Sequence, residues 1–134
     1  MPVSHRPRLE QRLPARPESI TALRHSAVEY AARGGVSPRR REDVALAVSE
    51  AVSNVVVHAY DGRDEPGDVL LHAWIDEDAL QVAVSDAGNG IGRRSRRPGL
   101  GVGLSLMSQV ADALRLERDA AVRGLRVRMT FALD

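Results

Sequence analysis

The residues best suited to chemistry fall in three short groups along a 134-residue chain. Glu50 and Asn54 come first. Four residues apart, they share one face of a helix, one turn from each other. A carboxylate there can take a proton from an attacking hydroxyl, and an amide oxygen can bind a hard cation or a polar ligand. Both sit in a run that is apolar nearly all round. Val44, Val48, Ala51, Val52, Val55 and Ala59 form its main stripe, and Leu46, Val56 and Val57 add apolar surface elsewhere. Such a helix is expected to be buried, and a buried carboxylate and amide are costly unless something polar meets them. The plain alternative is an exposed Glu–Asn pair on a half-buried helix; the spacing alone leaves both open.

Asp86 opens the second group, Asp86-Ala87-Gly88-Asn89-Gly90-Ile91. The period of two puts Leu80, Val82, Val84 and Asp86 on one strand face, so a row of core-facing side chains ends in a carboxylate. Glycines just after it let the backbone approach a ligand closely. A buried carboxylate accepts a hydrogen bond from an exocyclic amine such as that of adenine. An Asp-Gly turn with no ligand is the common alternative. The third group, Gly99-Leu100-Gly101-Val102-Gly103, stands directly before a helix marked by Leu104, Met107, Val110 and Ala111. Unpaired amides at a helix start, together with the helix dipole, suit an anion. A flexible loop before a helix is the alternative, because a Gly-x-Gly-x-Gly run that does not follow a strand is a weak signal.

Periodicity shows which elements would position these groups. Leu9, Gln11 and Leu13 alternate with charged neighbours as a short edge strand. Pro17 opens a helix with Ile20, Leu23, Ala27, Tyr30 and Ala31 at helical spacing, and Gly34-Gly35 ends it. Ser37-Pro38 supplies an N-cap and a first-turn proline for the longest helix, about residues 38–59. Val69–Ile75 and Leu80–Asp86 form a hairpin across Asp76-Glu77-Asp78, and a glycine-rich loop is predicted from Ala87 to Gly103. After the helix from Leu104 come a short strand with Leu114 and Leu116 and a last strand. In the last strand Leu125, Val127, Met129, Phe131 and Leu133 point one way, and Arg126, Arg128 and Thr130 the other. The order β-α-α-β-β-α-β-β predicts an α+β fold, a two-layer α/β sandwich whose mixed, mostly antiparallel sheet carries helices on one face. Residues 1–7 are expected to form a flexible tail and residues 8–134 a single domain.

Composition excludes several chemistries. There is no cysteine, hence no disulfide, thiolate metal site or cysteine nucleophile. All 19 basic residues are arginine, which removes Schiff-base lysines and the lysine of a phosphate loop. Aromatics at 3% do not make a base-stacking platform. The net charge is +1, unevenly spread: residues 1–42 carry nine arginines against four acids, residues 43–92 one against ten, and residues 93–134 nine against four. A global basic field for nucleic acid is absent. No apolar stretch approaches the roughly 20 residues of a membrane span, and no apolar core follows Met1 as in a signal peptide. A cytoplasmic protein with no direct nucleic-acid or membrane contact is expected.

In this order, the three groups resemble the motif set of the GHKL (Bergerat-fold) ATP-binding superfamily, and within it the bacterial anti-sigma-factor serine/threonine kinases. The stretch Ser49-Glu50-Ala51-Val52-Ser53-Asn54-Val55-Val56-Val57-His58-Ala59-Tyr60 is similar to that branch's signature helix, including its His-Ala-Tyr ending. Val84-Ser85-Asp86-Ala87-Gly88-Asn89-Gly90-Ile91 and Gly99-Leu100-Gly101-Val102-Gly103-Leu104-Ser105-Leu106-Met107 are similar to its glycine boxes. The likeness runs from about Leu9 to Leu133.

The resemblance implies the Bergerat ATP-binding fold, with ATP and Mg²⁺ as cofactors. It makes Asn54 the Mg²⁺ ligand and Glu50 the general base, and it puts Asp86 on the adenine amino group. Gly88, Gly90 and Ile91 would shape the adenine pocket, Gly99, Leu100, Gly101, Val102 and Gly103 would wrap the phosphates, and Thr130 would join the nucleotide pocket from the last strand. His58 is expected to be structural. The implied activity is phosphorylation of a serine or threonine on an anti-anti-sigma factor, with sequestration of a sigma factor. Homodimers are common in the family. One departure stands out: only Gly92 to Pro98, seven residues with four arginines, separate the two glycine boxes. That short lid keeps open a non-catalytic nucleotide-binding partner switch. A histidine kinase is disfavoured, since the chain offers no separate phosphoaccepting helical domain. A structural α/β domain with coincidental glycines is the third reading.

Overall fold

In the computed structural model, which describes residues 7–62, 64–87, 100–118 and 124–134, proline opens the first two helices. Pro17 begins α1 (Pro17–Arg33) and Pro38 begins α2 (Pro38–Asn54). The N–H that proline lacks is one that a first helical turn leaves unpaired anyway. Ser37 caps α2, its Oγ accepting from the Arg40 N–H at 3.3 Å. Gly35, at φ 89°, turns the chain out of α1, a conformation that is costly for residues with a Cβ. Past Asn54 the helix runs on to Ala59, but as a π-helical turn over Val55–Ala59. Three consecutive β-branched residues, Val55, Val56 and Val57, crowd an α-helical turn, and the wider turn relieves them. The helix predicted over 38–59 therefore has the expected extent but changes pitch directly after Asn54.

Five strands make one sheet: β1 (Leu9–Pro14), β2 (Asp68–Asp76), β3 (Ala79–Asp86), β4 (Ala113–Glu117) and β5 (Arg126–Ala132). Their order is β1-β2-β3-β5-β4, and every neighbouring pair is antiparallel. The mixed sheet of the sequence reading is thus wholly antiparallel among the described residues. The β2–β3 hairpin turns through Glu77 at φ 55°. Further on, α3 (Leu100–Val110) carries the chain round so that the β4–β5 hairpin lays β5 antiparallel against β3. Register puts Leu71 beside Val84 and Val84 beside Val127, with Val82–Met129 and Leu80–Phe131 in the rows that follow. These side chains form one core with Leu23 and Ala27 of α1, Val44, Val48 and Val52 of α2, and Met107 of α3. Burying each such aliphatic side chain is worth roughly 1.5–3 kcal/mol. Among the described residues helices cover this face only, as expected.

Two expectations need correction. The long helix is not buried all round: Leu46 is 40% and Val57 58% exposed, and Glu50 and Asn54 are half-buried. Among the described residues a single layer of three helices covers the sheet, and the far side of its middle helix is left partly exposed. The glycine-rich loop predicted from Ala87 to Gly103 is also too long at its C-terminal end, because α3 begins at Leu100. Leu104, Met107 and Val110 pack onto the core, and that packing outweighs the helix cost of about 1 kcal/mol for each of Gly101 and Gly103.

Arg40 locks the helices in place. Its side chain is 14% exposed. The guanidinium donates to Asp43 Oδ2 at 2.7 Å, Asp112 Oδ2 at 2.5 Å and the Val110 carbonyl at 3.3 Å, and it lies 5.7 Å from the Phe131 ring centroid. One side chain so joins the start of α2, the end of α3 and β5. Asp112 is half exposed, which discounts the pairing energy. Arg40→Ala is expected to lower stability by about 2 kcal/mol, read by urea unfolding; a loss under about 0.5 kcal/mol would contradict the clamp.

Candidate functional site

On α2, Arg40, Asp43, Ala47, Glu50 and Asn54 follow one another at steps of three and four, so they line one flank of the helix. Arg40, at the head of that flank, touches Val110 and Asp112, so the flank faces α3. A different flank meets α1, where Arg24 Nη1 donates to Ser49 Oγ at 3.4 Å. Because the first turn of α2 touches the last residue of α3, the two helices run in opposite directions. Glu50 lies as many residues after Arg40 as Leu100 lies before Val110. At about 1.5 Å per residue, side-by-side packing would set the start of α3 near the height of Glu50.

The first four N–H groups of a helix have no partner within it. In α3, which begins at Leu100, they include those of Leu100, Gly101 and Val102. Gly101 brings no Cβ to crowd this turn. The positive end of the helix dipole reinforces them. An anion-binding helix start thus stands beside the flank that carries a carboxylate and a carboxamide.

Asp86 ends β3 on the helix-facing side, in line with Leu80, Val82 and Val84, and is buried. Its N–H donates to the Leu125 carbonyl at 3.0 Å, and its Oδ1 accepts from the Leu125 N–H at 3.4 Å. Gly124 packs so close that a Cβ there would overlap the Asp86 carbonyl and come within 2.7 Å of Oδ1. Tyr60, just past the π-turn, ties this corner together. Its hydroxyl donates to the Asp68 carbonyl at 2.6 Å and accepts from the Ala87 N–H at 3.0 Å. A Cβ on Gly67 would meet the Tyr60 ring at 2.6 Å. Gly67 and Gly124 escaped sequence reasoning because each reads as an ordinary turn glycine. Tyr60 was visible only as the end of the helix motif.

Glu50 and Asn54 lie on the flank of α2 that faces α3, and Asp86 ends β3 on the helix-facing side of the sheet. Gly88, Gly90, Ile91 and Gly99 lie outside the described residues, as does the arginine-rich segment 92–98. Thr130 is not brought to the site. It pairs with Gln81, and its Oγ1 donates to Gln81 Oε1 at 2.7 Å on the sheet face turned away from the helices. The alternation that sends Met129 and Phe131 into the core sends Thr130 out, so it is left out of the pocket.

Among the described residues no three His, Cys, Asp or Glu side chains converge as a metal site. A cation at Asn54 would take one amide oxygen from the protein and the rest of its shell from ligand oxygens and water. That donor set fits Mg²⁺ bound with a phosphate ester and would not retain a metal alone.

This chain belongs to the histidine kinase-like ATPase domain family, which matches residues 13–131. It is 31% identical to the serine-protein kinase RsbW of Bacillus pumilus over 142 residues, covering 94% of this chain and 86% of that protein. With the serine-protein kinase RsbW of Listeria monocytogenes serotype 4a it shares 34% identity over 125 residues, covering 82% and 79%. The fold is also that of the RsbU and RsbW domains of Rv1364c from Mycobacterium tuberculosis, at TM-score 0.74 and 21% identity over 95% of this chain; this chain spans 32% of that one. The histidine kinase domain of the blue-light activated histidine kinase from Erythrobacter litoralis EL346 shares the fold at TM-score 0.60 and 21% identity, over 90% of this chain and 62% of that one.

Because Gly124 leaves no room for a methyl group against Asp86, Gly124→Ala is expected to cost more than about 2 kcal/mol of stability and to displace the carboxylate. Thermal unfolding and nucleotide titration would measure both effects. Wild-type behaviour in both would contradict the close packing at this corner.

Proposed function

We propose that this chain is an ATP-dependent serine/threonine protein kinase, an anti-sigma factor that phosphorylates an anti-anti-sigma antagonist and sequesters a sigma factor. One observation carries the reading: Glu50 and Asn54 lie on the flank of α2 that faces α3, the helix whose first turn holds Leu100, Gly101 and Val102. Asp86 accepts a hydrogen bond from the adenine amino group, and Gly88, Gly90 and Ile91 shape the pocket around the base. Gly99 and the amides of Leu100, Gly101, Val102 and Gly103 hold the phosphates. Asn54 holds Mg²⁺, which when bound offsets the phosphate charge. Glu50 takes the proton of the attacking serine or threonine hydroxyl. A bond forms between that oxygen and the γ-phosphorus, the bond from the γ-phosphorus to its bridging oxygen breaks, and ADP leaves with the electron pair.

The product explains the switch. A phosphate adds about 1.5–2 negative charges to the antagonist, enough to break an interface. The kinase is then free to hold sigma. This reading places the chain in the cytoplasm, as one domain over residues 8–134 that acts as a monomer or homodimer. It agrees with there being no helix, among the described residues, long and apolar enough to cross a membrane. A nucleotide-binding partner switch without phosphotransfer is the second reading, favoured by the seven residues between the glycine boxes, Gly92 to Pro98.

Glu50→Gln is expected to keep nucleotide binding and to lower phosphotransfer to the antagonist by roughly 10²–10⁴-fold. A radiolabelled-ATP assay with the cognate antagonist reads the transfer. No label from wild type, with sigma binding intact, would select the second reading. Asp86→Ala is expected to weaken nucleotide binding by roughly 10–100-fold, the worth of a hydrogen bond to a charged group. Wild-type affinity in that variant would remove Asp86 from the pocket.

A further inference from the structure

We propose that the sheet face turned away from the helices holds a second site, one for a small polyanion bearing phosphate or several carboxylates. The row of side chains it uses lies on the other side of the sheet from Glu50 and Asn54, while one end of the cavity reaches the corner of Tyr60, Asp86 and Leu125; the inference stands beside the nucleotide reading and does not depend on it. Register sets Arg12, Leu70, Ser85 and Arg126 side by side across β1, β2, β3 and β5. Leu70 and Ser85 make a floor between two arginines whose strands are three spacings apart, about 14 Å between backbones. A cavity of about 460 Å³ opens over this row, with His72 and Asp68 on its sides and Asp86 at its end. That volume suits a small molecule. Glu50 and Asn54 do not line it.

Charge concentrates beside the cavity, where Arg126, one of its lining residues, meets two further arginines at Trp74. The guanidinium carbons of Arg8, Arg128 and Arg126 lie 5.2, 5.8 and 5.9 Å from the Trp74 ring centroid. Three cations at one ring are more than cation–π attraction alone accounts for, because they also repel one another. Glu117 is shared between two of them, 3.4 Å from Arg126 Nε and 3.9 Å from Arg128 Nη1. Among the described residues that leaves two more arginines than carboxylates at this ring. Arg126 Nε is also buried without a hydrogen-bond partner, the Glu117 oxygen being near but not aligned. A buried donor without an acceptor is rare and calls for an explanation. A phosphate or carboxylate oxygen in the cavity would supply the acceptor and relieve the repulsion. The excess is local: Glu10 pairs with His72 at 3.2 Å and Arg12 with Asp68 at 3.8 Å. A compact anion therefore fits better than a broad acidic protein surface.

Trp74 is the chain's one tryptophan, so intrinsic fluorescence reports on this face. The full chain would be titrated with inorganic pyrophosphate and, separately, with citrate, ionic strength being held constant with chloride. A saturable change with either probe is expected. Pyrophosphate alone would mark a phosphorylated ligand, and citrate alone a carboxylic one. Arg126→Gln is expected to weaken the response at least about tenfold. Arg12→Gln, on an exposed side chain, gives the same test should the first variant fail to fold. No saturable change with either probe, an equal change with chloride, or unaltered affinity in the folded variants would overturn the proposal. A response to a poly-glutamate peptide but to neither small probe would also overturn it, by making this face a protein-docking surface.

Discussion

The contact between α2 and α3 is the constraint on which the rest of the site depends. Neither helix carries a complete site. α2 brings a carboxylate and a carboxamide one turn apart, and α3 brings a set of unpaired amides. Their opposed packing, held at one end by Arg40 against Asp43, Asp112 and Val110, turns the Glu50–Asn54 flank toward α3. The geometry is costly to maintain, because half-buried polar groups and an open helix start both want partners. In the proposed function a phosphate-bearing ligand would satisfy both at once.

The second anchor is the corner at the end of β3. Here the backbone does most of the work. Tyr60 links the end of the long helix to β2 and to the residue after Asp86, and Leu125 fixes Asp86 through two hydrogen bonds. Gly67 and Gly124 allow these close approaches. The carboxylate is thus held by structure on both sides before any base arrives. Such preorganisation leaves less ordering to be done when a ligand binds.

Much of this was legible in the sequence, and what was not has physical reasons. Alternation along residues 80–86 and 125–133 gave the strands and their inward faces, and Ser37-Pro38 marked the start of α2. These signals are local, and the fold obeys them. The first turn of α3 was misplaced because glycine argues against helix locally, while the deciding term, packing of Met107 and its neighbours on α2, is tertiary. The exposure of Leu46 and Val57 followed from there being only one helical layer, which a stripe pattern does not reveal. Thr130 shows the opposite lesson. Its strand alternation already placed it with Arg126 and Arg128 on the outer face, and the family likeness pulled it toward the pocket. Gly124 matters through a neighbour 38 positions away in the chain, a distance at which no motif speaks.

The central claim is that phosphates rest on the first turn of α3 while Asp86 holds the base. Backbone amide NMR of the full chain, comparing ATP with Mg²⁺ against adenosine, tests it most directly. Both ligands should shift Asp86 and Ala87, and only ATP should shift Leu100, Gly101, Val102 and Gly103. Equal shifts from adenosine at those four amides, or none from ATP, would contradict the account.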